Sequence, residues 1–333
     1  MPDRQTAVVT RQPQPRRRSA SRRKKGGKWQ RGRVIAVLAI LSAVPLIFHR
    51  YVPNSIGNLG SLLDTFLPWV GVAVPVLGIA ALVRRSATAG VALLVPALVW
   101  TYMFGDLMIP GKGSGGPYDL RVLTHNVDAA NPDPEKTAQD LLAADADVMA
   151  LEELTSADLK IYKSAFAQKY PYQVSRDTVA LWSKYPVVET KSVDVGFKWT
   201  RALRAEVGTP EGKVAVYVAH LASVRIGTSG FTSDQRNDTI KALGRQIADE
   251  KLAGVIVMGD FNGTATDRSL APLTYGLRSA QGAAGTGFGF TWPAAFPMAR
   301  IDHILVRGVT PTKAWVMGST GSDHRPVVAE LRI

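Results

Sequence analysis

Six short apolar runs in the C-terminal two thirds of the chain end or begin on a histidine, a carboxylate or a carboxamide. Leu120–Leu123 leads into Thr124, His125 and Asn126, Asp147–Leu151 into Glu152 and Glu153, and Val214–Val218 into Ala219 and His220. Gly254–Met258 leads into Gly259, Asp260, Phe261 and Asn262. Asp302 and His303 precede Ile304–Val306, and Asp323, His324, Arg325 and Pro326 precede Val327–Leu331. Taken singly, each such residue is accounted for as a turn former or cap, because Asp and Asn hydrogen-bond their own backbone. Six boundaries of this kind predict more, since strand ends on one edge of a sheet converge on one place. Without cysteine, the chain has no thiolate zinc site, disulfide or cysteine nucleophile. Oxygen ligands suit a hard cation, Mg2+ or Mn2+. Carboxylates joined by histidines and an amide suit phosphoryl chemistry, in which a side chain activates water and neutral donors hold the developing oxyanion. Walker, GxSxG and HExxH patterns are absent, which weakens nucleotide-loop, serine-hydrolase and zinc-protease readings.

The elements that must position these residues follow from pattern. Apolar runs alternate with polar turns, Val179–Trp182 adds a further strand, and helices are expected at Pro134–Ala144 and Asp234–Lys251, so residues 118–333 read as a mixed α/β domain. Upstream, Val34–Phe48, Thr65–Val83 and Ser86–Gly105 are charge-free. The last two match the roughly 20 residues that cross a bilayer, and the first is shorter and contains Pro45. The expected organisation is a disordered basic tail (1–33), three transmembrane helices (34–110), a Gly-rich flexible linker (111–117) and the α/β domain (118–333).

The net charge of +13 is concentrated in one place. Residues 1–33 hold 12 Lys and Arg against Asp3 alone, so the tail carries +11 and the pI near 10.0 says nothing of a basic domain. Basic residues resist transfer across a membrane. The tail and Arg84-Arg85 therefore belong on the cytoplasmic side, and three spans then put the domain outside.

In order along the domain, LRVLTHNV (120–127), DVMALEEL (147–154), VAVYVAHL (214–221), VIVMGDFN (255–262), ARIDHILV (299–306) and GSDHRPVVAEL (321–331) resemble the motifs of the endonuclease/exonuclease/phosphatase superfamily, the deoxyribonuclease-I-like fold. The resemblance implies a four-layer α/β sandwich preceded here by the three transmembrane helices. It also implies Mg2+-dependent phosphoester hydrolysis, with Glu153 holding the metal and Asn126 and Asp323 near it. Asp302 would orient His324, Asp260 would position or deprotonate water, and His220 and Asn262 would stabilise the phosphate. Three departures from the family pattern stand out: Glu152 where Gln is usual, which adds a charge beside the metal ligand, Ala219 where a polar residue is common, and His303 where an aromatic is frequent. Three spans before such a domain also resemble actinomycete membrane proteins of the VanJ type, associated with teicoplanin resistance.

Three functions compete. The anchor and the nearly neutral domain favour an extracytoplasmic phosphohydrolase acting on a lipid-linked phosphate or pyrophosphate. A surface nuclease would need a basic face for nucleic acid, for which Lys198, Arg201 and Arg204 are the candidate patch. A non-catalytic lipid- or antibiotic-binding immunity protein would have no need of Asp260, Asn262, Asp323 and His324.

Overall fold

The computed structural model describes residues 32–110, 113, 115–228 and 230–333; the basic tail, apart from Gly32 and Arg33, lies outside them. Helices α1 (Arg33–Phe48), α2 (Leu59–Phe66), α3 (Ala73–Val83) and α4 (Ala87–Phe104) come first. A 3-10 segment joins α2 to α3, and 3-10 turns extend α1 and α4. Three rods result, Arg33–Tyr51, Leu59–Val83 and Ala87–Met108, each long and apolar enough to cross a membrane. The second begins at Leu59 rather than Thr65, because Asp64 is taken up by partners in the domain (below) and does not have to face water or lipid.

The rods run with the basic residues at one end and the domain at the other. At the first end Gly32 lies against Ser86, so close that a Cβ there would come within 2.5 Å of its hydroxyl, which brings Arg33 beside the Arg84-Arg85 turn. At the other end the carbonyls of His49, Arg50 and Val52 accept hydrogen bonds from the guanidinium of Arg268, a domain residue.

The domain contains strands β1 (Leu120–Asn126), β2 (Val148–Glu152), β3 (Tyr172–Arg176), β4 (Val179–Ser183), β5 (Val187–Ser192), β6 (Ala202–Thr209), β7 (Gly212–Ala219), β8 (Ile226–Gly227), β9 (Gly230–Phe231), β10 (Gly254–Asp260), β11 (Arg278–Ser279), β12 (Asp302–Arg307), β13 (Thr310–Val316) and β14 (Val327–Arg332). Its helices are α5 (Pro134–Ala143), α6 (Ser156–Phe166), α7 (Asp234–Ala248), α8 (Ala271–Thr274) and α9 (Ala280–Ala284). One six-stranded sheet has the order β13-β14-β1-β2-β4-β3, the other β11-β12-β10-β7-β6-β5. Each has one parallel pair near its middle, β1 with β2 and β10 with β7, among antiparallel neighbours.

Side chains that alternate along the strands build the layers. Leu120, Val122, Val148, Ala150, Val216, Val218, Ile256, Met258, Ile304 and Val306 fill the space between the sheets. Leu123, Met149 and Leu151 point the other way, onto Tyr162 and Phe166 of α6, and Val255 and Val257 onto Ile240 and Leu243 of α7. The order helix, sheet, sheet, helix is the four-layer sandwich expected from the resemblance. Strands covered on both faces must be largely apolar, which is why β2 and β10 read as apolar runs up to their polar ends, and β1 and β7 do so after Arg121 and Lys213.

Candidate active site

The inter-sheet alternation continues to the strand ends and changes there from apolar to polar. Thr124 and Asn126 follow Val122 on β1, Glu152 follows Ala150, Asp260 follows Met258, and Asp302 precedes Ile304, so all five occupy the face that packs the two sheets together. All five are buried. Register reinforces this convergence, since Asp260 pairs directly with Asp302, and Asn126 with Glu152. Gly259 permits it: its φ is +142°, and a Cβ there would stand 2.0 Å from the Ala219 carbonyl oxygen.

At the cleft, backbone turns re-aim the next residues. Asp128, Glu153 and Asn262 all adopt left-handed conformations, with φ of 60°, 60° and 49°. Non-glycine residues seldom adopt that region and persist there when the surroundings over-determine them. All three line the same cavity of about 670 Å3, together with Asp260, Trp292, Asp323 and His324.

Hydrogen bonds fix the centre. Asp260 accepts from the Asn126 amide at 3.1 Å, from the Asn262 amide at 3.0 Å and from the Asn262 backbone N–H at 2.8 Å. The Nδ1–H of His324 faces both oxygens of Asp302, at 2.9 and 3.1 Å, which leaves Nε2 pointing to the cleft 3.9 Å from Asp260 and 3.8 Å from Asp323. Ser322 ties the chain ends together, donating to the Asn126 carbonyl at 2.7 Å and accepting from the His324 N–H at 3.0 Å. Asp323 is exposed and takes the Trp292 indole N–H at 3.0 Å.

Electrostatics divides the groups. Burial would lower His324, but Asp302 and Asp260 outweigh it and raise the imidazole to about 10, so it is an imidazolium at neutral pH. Burial would raise Asp302, but the same imidazolium holds it below the usual carboxylate range. Asp260, whose burial is only partly offset by His324, is pushed up to about 7. Burial and the Arg201 guanidinium push His220 well down, so it is neutral. Its Nε2 accepts from Arg201 at 2.6 Å. Among the described residues, the acidic and histidine groups close enough to share one ion are Asp260, Asp302 and His324, with ligand atoms within 4.8 Å of one another. Two of these are already committed to one another in the His324–Asp302 pair. Glu153 is different: one oxygen has only a long contact to the Ala129 N–H, at 3.5 Å, and the other lies 3.4 Å from the Nε2 lone pair of His220. A carboxylate facing acceptors and short of donors lacks positive charge, and a hard cation would supply it. The residues therefore fit a divalent metal.

Of the four boundary histidines His324 enters the cleft, His220 lines an adjoining cavity with Arg201 and Glu153, and the other two fall outside both. His125 lies on the helix-facing side of β1, held by Thr320 at 3.0 Å, and burial lowers it to about 3. His303 stacks on Phe261 with ring centroids 5.3 Å apart and donates to the Gly263 carbonyl at 2.8 Å, so it fills an aromatic position as an aromatic. Glu152 corrects another expectation. Buried, with Thr124 its hydrogen-bond donor, its carboxyl is raised well above the ordinary range by burial and stays neutral, so it adds no charge beside Glu153. The basic patch also dissolves: Arg204 is buried against Glu250 and Glu189, Arg201 turns inward to His220, and only Lys198 is exposed. Arg201 is the site residue that sequence reading missed as such. Its one local signal is its position before β6, across the sheet from Ala219-His220.

The cleft has one wall from outside the α/β domain. Thr65 and Phe66, at the end of α2, line it beside Asp260 and His324. The docking that brings them there is polar and buried. Asp64 accepts from the Arg268 Nε at 2.7 Å and pairs with His49 at 2.7 Å. Ser61 donates to Asp267 at 3.1 Å, Asp267 pairs with Arg236 at 2.6 Å, and Arg236 donates to the carbonyl of Asn262 at 2.9 Å.

The sequence profile of the Endonuclease/Exonuclease/phosphatase family matches residues 123–324. No curated protein matches the chain. Solved structures similar in fold include zebrafish (D. rerio) TDP2 complexed with a single-strand DNA product, with TM-score 0.56 and 20% identity over 64% of this chain and 99% of that one. A mannosyl-6-phosphatase of Bacteroides thetaiotaomicron has TM-score 0.54 and 19% identity over 64% of this chain and 100% of that one. The beta toxin of Staphylococcus aureus has TM-score 0.52 and 15% identity over 63% and 99%.

Proposed function

Because the chain belongs to the endonuclease/exonuclease/phosphatase family, we propose that it is a membrane-anchored, metal-dependent phosphohydrolase whose substrate is a lipid-linked phosphate or pyrophosphate. One observation carries the substrate class: the cavity lined by Asp260, Asn262 and His324 is also lined by Thr65 and Phe66 of a membrane-crossing rod. A phosphate ester held in that cavity lies beside the anchor. The dissolved basic patch removes the feature that a duplex-binding nuclease would use.

In this mechanism Asp260, held by Asn126 and Asn262, takes a proton from the attacking water. As the water oxygen bonds to phosphorus, the bond to the leaving oxygen breaks, and that oxygen takes a proton from water in the open cleft while Asp260 returns its proton to solvent. His324, kept cationic by Asp302, faces the phosphate and stabilises its growing negative charge, as do the amide of Asn262 and the Arg201–His220 pair. Glu153, with Asn126 and Asp323, would hold Mg2+ or Mn2+, which supplies Lewis-acid neutralisation of the phosphate oxygens. The topology proposed is a cytoplasmic basic end and an extracytoplasmic domain. By its likeness to VanJ-type proteins, the proposal extends to a contribution to glycopeptide resistance.

The test is a phosphate-release assay on the purified full chain with and without Mg2+, using undecaprenyl pyrophosphate, phospholipids and DNA, alongside a topology reporter fused after Ile333. Lipid-phosphate turnover and an extracytoplasmic reporter are expected. DNA cleavage without lipid turnover would transfer the assignment to a surface nuclease, and a cytoplasmic reporter would end the proposal.

A further inference from the structure

A second cavity, of about 450 Å3, lies where the rods meet the domain. One wall is Pro68, Trp69 and Val74 of the second rod, another Ala97 and Trp100 of the third, and the domain closes it with Phe288 and Phe290. The two cavities have adjoining walls. On the rod, Thr65 and Phe66 line the catalytic cleft, and Pro68 and Trp69, the next turn, line this cavity. In the domain, Phe288 and Phe290 face this cavity and Trp292 the cleft, two residues of chain or roughly 7 Å further on.

The junction is built, not incidental. Phe290 stacks on Phe288 with centroids 5.0 Å apart and on Trp69 at 5.7 Å. The polar edges of both indoles are already satisfied, Trp69 donating to the Met298 carbonyl at 2.8 Å and Trp100 to the Pro68 carbonyl at 2.9 Å. Gly71 makes room for the second contact, since a Cβ there would stand 2.2 Å from the Trp100 Nε1. The cavity that remains has apolar walls, offers an entering ligand no free indole donor, and sits beside rods whose natural solvent is hydrocarbon.

We propose that this cavity takes the hydrocarbon chain of the substrate whose phosphate occupies the catalytic cleft, so that the anchor is half of the substrate-binding site. The inference rests on the phosphohydrolase reading above and adds its substrate class: a phosphate carried on a long hydrocarbon chain, gripped within the first part of that chain. It also gives the polar docking through Arg268 and Asp64 a purpose, since the grip requires rods and domain to keep a fixed relation.

The test uses the full chain in nanodiscs with butyl phosphate and hexadecyl phosphate, comparing the unmodified protein with Ala97→Phe and Val74→Phe, which fill the cavity from two different rods. Partition into the bilayer raises the local concentration of the longer substrate equally for all three proteins, so the ratio of kcat/KM values, long over short, isolates the cavity. Each variant's own rate on butyl phosphate is its reference, so a general loss of activity cancels from the ratio. In both variants the ratio should fall by about tenfold, the loss expected when roughly two methylenes are displaced from apolar contact. The same ratio in all three proteins would overturn the chain site and leave the phosphohydrolase reading intact. Failure of the unmodified protein to turn over either ester with Mg2+ would instead count against that reading.

Discussion

Two buried clusters, each pairing carboxylates with a cation, take in the two ends of the Gly259–Arg268 segment and differ in how completely they are satisfied. In the docking cluster Asp64 is fully buried and meets Arg268 through both oxygens, while the remaining guanidinium N–H groups go to the carbonyls of His49, Arg50 and Val52. In the catalytic cluster His324 turns one nitrogen to Asp302 and leaves the other facing an open cleft, and Glu153 has almost no donors. Composition is the same in kind. A saturated cluster is a fastener, whereas one with acceptors and donors left open toward a cavity is poised to take a ligand.

Single substitutions should separate the two. The largest effect on turnover is expected from Asp260→Asn or His324→Ala, each lowering kcat by about 10²-fold or more; Asp260→Asn should leave the thermal unfolding midpoint unchanged, whereas His324→Ala should also lower it, because it leaves Asp302 buried and unpaired. An unaltered kcat in both would put the chemistry elsewhere. Arg268→Ala should act first on stability. Removing one partner of a buried pair costs about 3–5 kcal/mol, read as a lower unfolding midpoint, and the double variant Arg268→Met with Asp64→Leu should recover part of it. A smaller effect is expected on pH dependence. Asp260, raised to about 7, must lose its proton to accept one, so activity should fall as pH drops through that value. His324, raised to about 10, must keep its proton, so activity should fall as pH rises through that value. Asp302→Asn removes the carboxylate that raises His324 and should move the alkaline limb down. Smallest of all is the contrast between neighbours. Glu153→Gln should raise the Mg2+ concentration needed for half-maximal activity, and Glu152→Gln, replacing a neutral acid by a neutral amide, should leave that concentration almost unchanged. The opposite ranking would mean that the left-handed turn at Glu153 does not aim it at the cation.

Much of the catalytic cluster is legible in the sequence because its strands are covered on both faces. An unbroken apolar run that stops on Asp260, or starts after Asp302, marks both the strand and its polar end. The edge strands were not legible. Val187–Ser192 is largely exposed and Tyr172–Arg176 only half-buried, so neither carries a continuous apolar signal. Whether a histidine faces the cleft or the helix layer depends on the parity of its position along the strand, which is how His125 was grouped with residues it does not meet. The docking cluster was invisible for another reason: Asp64 and Arg268 are 204 residues apart, and a lone acid near an apolar segment gives no sign of its partner. Residue type alone gives Glu152 a charge, whereas its burial raises the carboxyl well above the ordinary range.

The Gly-rich linker expected at residues 111–117, of which 111, 112 and 114 lie outside the described residues, would tie the domain to the rods by connection. Arg268, Ser61 and the aromatic contacts of Trp69 and Trp100 hold the same two parts together without it. The covalent link is then redundant for position. Cut there, the molecule would behave as a two-subunit complex rather than a released enzyme and an empty anchor, and the two pieces, made as separate chains, carry the surfaces they need to find each other.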